Sequence, residues 1–395
     1  METREENPKA SASIPRNPRL PVPRKVAVLG ATGSIGKSAL DVIARAGGDF
    51  EVVLLSACSN REGLAEAARA WPGSALVLCG EPGGRELLLA RVADCGAEIT
   101  VNGISGAAGL EPSMAALEAG CDLALANKET LVMAGELVMR RAREKNTRVI
   151  PVDSEHSAVF ALIEAHGRDA VDEIILPASG GPFRNSSLAE MENARPEDAL
   201  AHPTWNMGAK ISIDSASMAN KGLEVIEAAR LFGFPPEKIK VVVHPQSVVH
   251  SMIRMRDGAV YAQLSRPDMR LPIRAALYHG RGETRPADFG RLEFDRLTLE
   301  FFPPDTRKFP LLALAYEAAE KGGLYPCAYN AANEAAVAAY LSGRIGFLDI
   351  ARVTGYIVEG DWGAEPADVA QVMEADARAR ALAEDAAREA ARKRA

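Results

Sequence analysis

The sequence is poor in cysteine, and what it has is scattered. Cys58, Cys79, Cys95, Cys121 and Cys327 make an odd set with no C-x-x-C spacing. Such a set reads as reduced thiols in a cytoplasmic protein, mostly small core residues. No apolar run approaches the roughly 20 residues that span a bilayer, which excludes a transmembrane helix. No basic block interrupts the body of the chain and the net charge is −7, which argues against nucleic acid as a partner. Residues 1–24 carry five prolines and no apolar h-region. They are expected to be a disordered tail, not a secretory signal. No internal repeat is evident. What remains is an ordinary globular balance, 47% hydrophobic and 25% charged, over 395 residues. That length suggests two or three domains.

Residues 25–152 alternate strand and helix. KVAVLG (25–30) is a buried-strand pattern that runs into GATGSIG, and helical spacing follows over 37–46. Strand, glycine turn, helix is the context a dinucleotide-binding turn requires, here spaced Gly30, Gly33, Gly36. Glycines let backbone approach a pyrophosphate, and the helix N-terminus offers N–H groups to it. A tight βα turn needs glycine anyway, so the turn alone is weak evidence. Further strands read at 51–56, 75–79, 98–101, 122–126 and 148–152, and helices at about 61–71, 83–94, 110–119 and 130–144. This predicts an α/β fold with a Rossmann-like doubly wound parallel sheet. The second strand ends in Ala57-Cys58-Ser59-Asn60-Arg61, with no acid for ribose hydroxyls. A polar stretch with an arginine suits a 2′-phosphate, so NADPH is favoured over NADH. The plain alternative is a helix cap at Ser59 or Asn60. Asn127, Lys128 and Glu129 lie directly after the 122–126 strand, at the edge where such sheets bind ligands.

The texture changes from 153, where a central α+β domain (153–278) is expected to carry the chemistry. PVDSEHS (151–157) follows an apolar strand end. In extended backbone Asp153 and Glu155 face one side, and two such carboxylates call for a hard divalent cation, Mg²⁺ or Mn²⁺. The alternative is a solvated acidic turn with Asp153 or Ser154 capping a helix. HPTWNMG (202–208) has no regular pattern and reads either as a lid that closes over a ligand or as a surface loop pinned by Trp205. Residues 211–213 read as strand-like, and 221–231 as an amphipathic helix. Ser215, Asn220 and Lys221 offer donors suited to a phosphate. Lys221 and Glu224 could equally be an i,i+3 surface pair. Residues 241–265 read as strands with a hairpin turn at Asp257-Gly258, and His244 and His250 as core or surface histidines. Residues 279–308 look like a linker. Beyond them, 309–395 reads as a four-helix C-terminal domain (about 309–321, 327–342, 347–359, 366–394), with an i,i+4 pair Glu384–Arg388.

Eight blocks, GATGSIG, ANKE, PVDSEHSA, SGGPFR, HPTWNMG, DSASMANKGLE, HPQSVVHS and NAANE, together resemble the 1-deoxy-D-xylulose-5-phosphate reductoisomerase family in order. The likeness runs from about residue 25 to near the C-terminus. It implies that Asp153, Glu155 and Glu224 bind Mg²⁺ or Mn²⁺. Lys128, Ser154 and His202 would contact a sugar phosphate, and Ser179, Ser215, Asn220 and Lys221 would hold its phosphate. Trp205 and Met207 would ride on a closing loop. Lys128, His202 and the three carboxylates make the implied catalytic set. NADPH contacts would fall on Thr32, Gly33, Ser34, Ile35, Asn60, Glu129 and Gly208, with Met269 near the nicotinamide and Cys58, Ser59 and Asn127 alongside. The chain departs from the pattern at Cys58, where many members have glycine, and at Ser59, where some have a basic residue. The implied activity is NADPH- and metal-dependent rearrangement and reduction of 1-deoxy-D-xylulose 5-phosphate to 2-C-methyl-D-erythritol 4-phosphate, in a cytoplasmic homodimer. Two other readings fit parts of the chain: a metal-independent NADP oxidoreductase with structural carboxylates, and a non-catalytic nucleotide sensor on the same fold.

Overall fold

The structure is a computed structural model, and it describes residues 22–205, 207–281 and 289–394. Nearly all of the expected N-terminal tail, and residues 282–288 of the expected linker, lie outside the described residues.

The first unit is built from β1 (Arg24–Leu29), α1 (Ser34–Arg45), β2 (Phe50–Ala57), α2 (Arg61–Ala70), β3 (Ala75–Leu78), α3 (Gly84–Asp94), β4 (Ile99–Asn102), α4 (Leu110–Glu118), β5 (Asp122–Leu125), α5 (Lys128–Glu144) and β6 (Val149–Pro151). The six strands form one sheet in the order β3-β2-β1-β4-β5-β6, every pairing parallel. Strand order reverses between β1 and β4, and ligands bind outside the strand ends at such a switch point. Alternation along β1 explains why the sheet is buried on both faces. Val26 and Val28 join one apolar cluster, Ala27 and Leu29 another.

A second unit follows: α6 (Ser154–His166), β7 (Val171–Ala178), α7 (Leu188–Glu192), α8 (Pro196–Leu200), α9 (Ala209–Ala216), α10 (Ala219–Phe232), β8 (Ile239–Val243), β9 (Val249–Met255), β10 (Val260–Leu264) and α11 (Arg270–Tyr278). Its four-stranded sheet runs β10-β9-β7-β8, with β7 parallel to β8 and the other pairings antiparallel. The β9–β10 hairpin turns at Asp257-Gly258, where Gly258 takes φ +90°, as its sequence predicts. Residues 211–213 are not a strand but lie inside α9. Short apolar runs do not separate strand from buried helix, and here burial on several sides, of Ser212, Ile213, Asp214 and Ala216, decides for helix. The chain then turns through Met218, buried and left-handed at φ +60°, directly into α10.

Helix α11 leaves the second unit and packs on the first. Ile273, Leu277 and Tyr278 join the cluster of Val26 and Val28. Arg24 donates to the Leu277 carbonyl at 2.8 Å and pairs with Asp122, and the Tyr278 hydroxyl donates to Asp49 at 2.7 Å. Beyond it, Phe302 bridges Val243 at the edge of β8, so the segment read as linker lies along the second sheet.

The chain ends in α12 (Pro310–Lys321), α13 (Tyr325–Leu341), α14 (Phe347–Val358) and α15 (Val369–Arg394). Alanine lets these helices approach closely: α13 buries six alanines among its residues, and α15 buries Ala375, Ala379, Ala383 and Ala387 at helical spacing. The expected Glu384–Arg388 pair does not form. Glu384 reaches Arg344 at 2.9 Å, and Arg388 turns to Asp385. A tertiary partner outweighs an i,i+4 contact worth a few tenths of a kcal/mol. Of the five cysteines only Cys121 and Cys327 are buried; Cys58 is exposed, against the expectation of mostly core thiols. No helix among the described residues is long and apolar enough to cross a membrane.

Candidate active site

A single cleft of about 540 Å³ runs from the glycine turn at the end of β1, across the ends of β5 and β6, to α9, α10 and the 202–208 loop. It is lined by Gly33, Ser34, Ile35, Asn127, Lys128, Glu129, Asp153, Ser154, Glu155, Ser179, His202, Trp205, Met207, Gly208, Ser215, Asn220, Lys221, Glu224 and Met269. Four residues expected at the nucleotide are not on that lining. Thr32 is within the glycine turn, and Cys58, Ser59 and Asn60 form the exposed end of β2, the strand beside β1.

The turn is shaped by contact. Gly30 sits at φ +76°, where a Cβ would lie 2.9 Å from the Gly103 carbonyl. A Cβ on Gly36 would come within 2.3 Å of the Gly30 carbonyl, so helix and strand meet only because it is absent. Helix α1 starts at Gly33 with no side-chain cap and no acid in its first turn. Its free N–H groups and positive end fit a pyrophosphate.

The PVDSEHS segment is not extended throughout. Asp153 is the N-cap of α6, its Oδ1 accepting from the Glu155 N–H at 3.0 Å, and Glu155 lies in the first helical turn. The capping of the plain alternative is present without its solvation, since Asp153 is buried, and it occupies one oxygen and leaves Oδ2 toward the cleft. There Oδ2 pairs with Lys128. Glu224, one turn into α10, brings the third carboxylate. One oxygen each from Asp153, Glu155 and Glu224 lie within 4.8 Å of one another. Oxygens around a Mg²⁺ at about 2.1 Å stand about 3.0–4.2 Å apart, so the set fits a hard cation after a small inward adjustment.

Two lysines answer three carboxylates. Lys221 lies 2.9 Å from Glu155 and also pairs with Glu224, and Lys128 stands 3.9 Å from Glu224. The Lys221–Glu224 pair is therefore buried, not a surface pair. Burial and the Glu155 charge push the Glu224 carboxyl above its usual range. Burial also raises Glu155, but Lys221 and its neighbours overcome this and hold it at about 2. Crowded carboxylates of this kind are the donor set that a divalent cation relieves. Asn220 donates to Glu224 at 2.6 Å, while its own Oδ1, like Ser247 Oγ, is buried on the cleft wall with no partner among the described residues.

His202 Nδ1 accepts from the backbone N–H groups of Thr204 and Trp205 at 3.1 and 2.9 Å. The ring proton therefore sits on Nε2, which donates to Ser179 Oγ at 2.9 Å. Burial holds His202 below its usual value, in keeping with this neutral form. The ring thus staples the start of the loop to the end of β7. Trp205 meets His250 edge-on at 6.5 Å between centroids. His244 is structural: Nε2 accepts from the backbone of Val248 and Val249 and Nδ1 donates to the Glu300 carbonyl.

Sequence reasoning missed Lys210 and Asp214. Lys210, in the first turn of α9, pairs with Glu129 at 2.7 Å and Asp214 at 2.8 Å, and Asn333 of α13 donates to Asp214 at 2.7 Å. The signal was an i,i+4 Lys–Asp spacing, hidden by reading 211–213 as strand. Asn127 caps α5 through Thr130, and its amide nitrogen donates to the carbonyls of Ile104 and Gly106 and to Glu129. Its side chain is fully engaged by protein.

The family model for 1-deoxy-D-xylulose 5-phosphate reductoisomerase matches residues 26–87 and 74–135. Models of that reductoisomerase's C-terminal domain match 149–232 and 264–382. The 1-deoxy-D-xylulose 5-phosphate reductoisomerase of Treponema denticola is 46% identical over 371 residues, 91% of this chain and 96% of the relative. That of Zymomonas mobilis is 45% identical over 375 residues, again 91% and 96%. A solved structure of the Zymomonas mobilis enzyme in complex with NADPH superposes with TM-score 0.85 at 43% identity, covering 92% of this chain and 99% of that one. A DOX-P reductoisomerase in complex with NADPH, fosmidomycin and magnesium superposes with TM-score 0.83 at 34% identity, covering 92% and 98%.

Proposed function

The chain belongs to the 1-deoxy-D-xylulose 5-phosphate reductoisomerase family, and on that footing we propose how its own residues carry the family's reaction. It is an oxidoreductase that uses NADPH and a divalent cation to convert 1-deoxy-D-xylulose 5-phosphate to 2-C-methyl-D-erythritol 4-phosphate. Bound Mg²⁺ or Mn²⁺ supplies Lewis-acid polarisation of the substrate's ketone and neighbouring hydroxyl, and NADPH supplies the hydride that follows the carbon rearrangement.

Asp153, Glu155 and Glu224 hold the cation. Lys128, against Asp153 and close to Glu224, keeps those carboxylates together and faces the substrate beside Ser154. Ser179, Ser215, Asn220 and Lys221 take the phosphate, far enough from the reacting carbons to orient them. His202, neutral and donating through Nε2, orients Ser179 and carries the loop whose Trp205 and Met207 close the cleft against water. Thr32, Gly33, Ser34 and Ile35 receive the pyrophosphate at the start of α1. Cys58, Ser59 and Asn60 meet the 2′-phosphate end, and Glu129, Gly208 and Met269 the nicotinamide end, with Asn127 holding Glu129 in place. The proposed division is nucleotide binding over 25–152, metal and substrate binding over 153–278, a connecting segment over 279–308, and a helical domain over 309–395. A homodimer through the middle domain is supported by the uncovered edge strand β10, where Val260 and Tyr261 are exposed. Free cysteines support a cytoplasmic site of action.

The observation that carries this reading is the meeting of three carboxylates and two lysines opposite a dinucleotide turn in one cleft. NADPH oxidation with 1-deoxy-D-xylulose 5-phosphate should vanish on adding EDTA and return with Mg²⁺ or Mn²⁺. Turnover indifferent to EDTA would favour a metal-independent oxidoreductase and sink the metal assignment.

A further inference from the structure

We propose that Cys58 and Cys79 form a reversible oxidation site, closing to a disulfide that weakens NADPH binding. The second half of that statement rests on the placement of the 2′-phosphate end at residues 58–60.

The two cysteines continue a strand ladder. Strands β2 and β3 are parallel, with Ala57 opposite Leu78. The ladder runs one step further, because the Cys79 N–H donates to the Ala57 carbonyl and the Gly80 N–H to the Cys58 carbonyl, both at 2.9 Å. Cys58 is therefore opposite Cys79. Residues so paired stand about 4.8 Å apart, within the 4.4–6.8 Å over which a disulfide closes. The sulfurs share a small space. A Cβ on Gly80 would lie 3.3 Å from Cys58 Sγ, and Cys79 Sγ contacts the Ala57 carbonyl at 3.3 Å. Burial, and then the neighbouring Cys58 thiol, raise the Cys79 thiol above its ordinary value. Cys58 is exposed and Cys79 half-buried, whereas Cys121 and Cys327 are buried. An accessible sulfur beside a shielded partner is the arrangement in which the first is oxidised and the second resolves it.

The oxidant is a hydroperoxide. Cys58 Sγ attacks the O–O bond and becomes a sulfenic acid, and the remaining peroxide oxygen leaves as water or an alcohol. Cys79 then gives up its proton, its sulfur attacks the Cys58 sulfur, the S–S bond forms, and the sulfenic oxygen leaves as water. Two electrons pass from the thiol pair to the peroxide, and a dithiol returns them. Closure ties the Cys58 sulfur to β3 and fixes the segment proposed to meet the 2′-phosphate.

The experiment treats the full reduced chain with hydrogen peroxide, with and without NADPH present. The expected result is a cross-linked Cys58–Cys79 peptide pair lighter by two hydrogens, suppressed by NADPH. KM for NADPH should rise by about tenfold, an ordinary coupling between two sites, and recover with dithiothreitol. Cys79→Ser should keep the untreated activity and lose the dithiothreitol-reversible rise. Should that variant fold poorly, Cys79→Ala takes its place. Both cysteines remaining open to alkylation after peroxide, or a cross-link that leaves KM unchanged, overturns the proposal. An untreated protein that does not oxidise NADPH with substrate defeats the functional reading instead, since the peptide mass decides the cross-link by itself.

Discussion

Helices α5 and α6 begin alike and end up doing different work. They start at the ends of neighbouring parallel strands, with Val152 of one segment bonded to Leu125 of the other. Each opens with a capping residue, a hydrophilic residue and a glutamate: Asn127-Lys128-Glu129 and Asp153-Ser154-Glu155. At α5 the cap is a neutral amide whose polar atoms are all met by protein. At α6 the cap is charged, and only one of its oxygens serves the helix. Glu129 is tied off by Lys210, which Asp214 holds in turn, and Asn333 donates to Asp214. Glu155 shares Lys221 with Glu224, in a group with more carboxylates than ammonium groups. Both starts line the cleft. At α5 the cap and the glutamate are satisfied by protein, whereas at α6 they belong to a group left short of positive charge. An amide-to-acid difference at the cap, with Lys128 against Ser154 beside it, separates a balanced start from one that calls for a cation.

The sharpest way to break this contrast is to neutralise the start that calls for a cation. Asp153→Asn or Glu224→Gln should lower kcat at least about a hundredfold, the upper end of what even an outer-shell partner of a metal is worth. NADPH binding, followed by fluorescence titration, should persist. Loss of NADPH binding would count against the metal role. Lys210→Met attacks the balanced start. It leaves Glu129 and Asp214 buried without their cation, and should cost about 3 kcal/mol in a urea titration. Near-wild-type stability would mean that Lys210 is not the tie. Asn127→Ala should cost less, about 1–2 kcal/mol, from a lost cap and carbonyls that lose their donor. A Tm shift smaller than that of an exposed control such as Lys37→Ala would refute it. The smallest effect concerns pH. Burial raises Glu129, yet the Lys210 charge holds it below the ordinary glutamate value. A carboxylate so depressed stabilises the fold fully above the ordinary glutamate range, and that contribution fades as pH falls through its lower folded value. Stability against pH should therefore fall less steeply in acid for Glu129→Gln than for the wild type, and identical profiles would contradict the assignment.

The first sheet was legible because strand, glycine turn and helix repeat with strong local signals, and its strands and helices fall within a few residues of their expected ends. Gly30 and Gly36 stand where a Cβ would run into backbone, which is why the turn carries a glycine signal. The site was partly legible. Asp153 and Glu155 stand out as acids at a strand end, although the backbone that aims them is helical. Lys210 was not legible, since its partner Glu129 lies 81 residues away and its near partner Asp214 was masked by the strand reading of 211–213. Glu384 escaped for the same reason, its partner Arg344 being 40 residues back. Local spacing carries no information about such contacts.

The return of α11 to the first sheet has a consequence for synthesis. Strand β1 and α1 must wait for Leu277 and Tyr278 before the cluster on that face is complete and Arg24 finds its distant carbonyl. At about 5–20 residues per second a ribosome needs on the order of ten seconds to travel from β6 to α11. During that interval the nascent first sheet presents Val26, Val28 and Ile150 to solvent only partly shielded. Chaperone dependence should therefore concentrate in chains stalled before residue 270 and disappear once α11 has emerged.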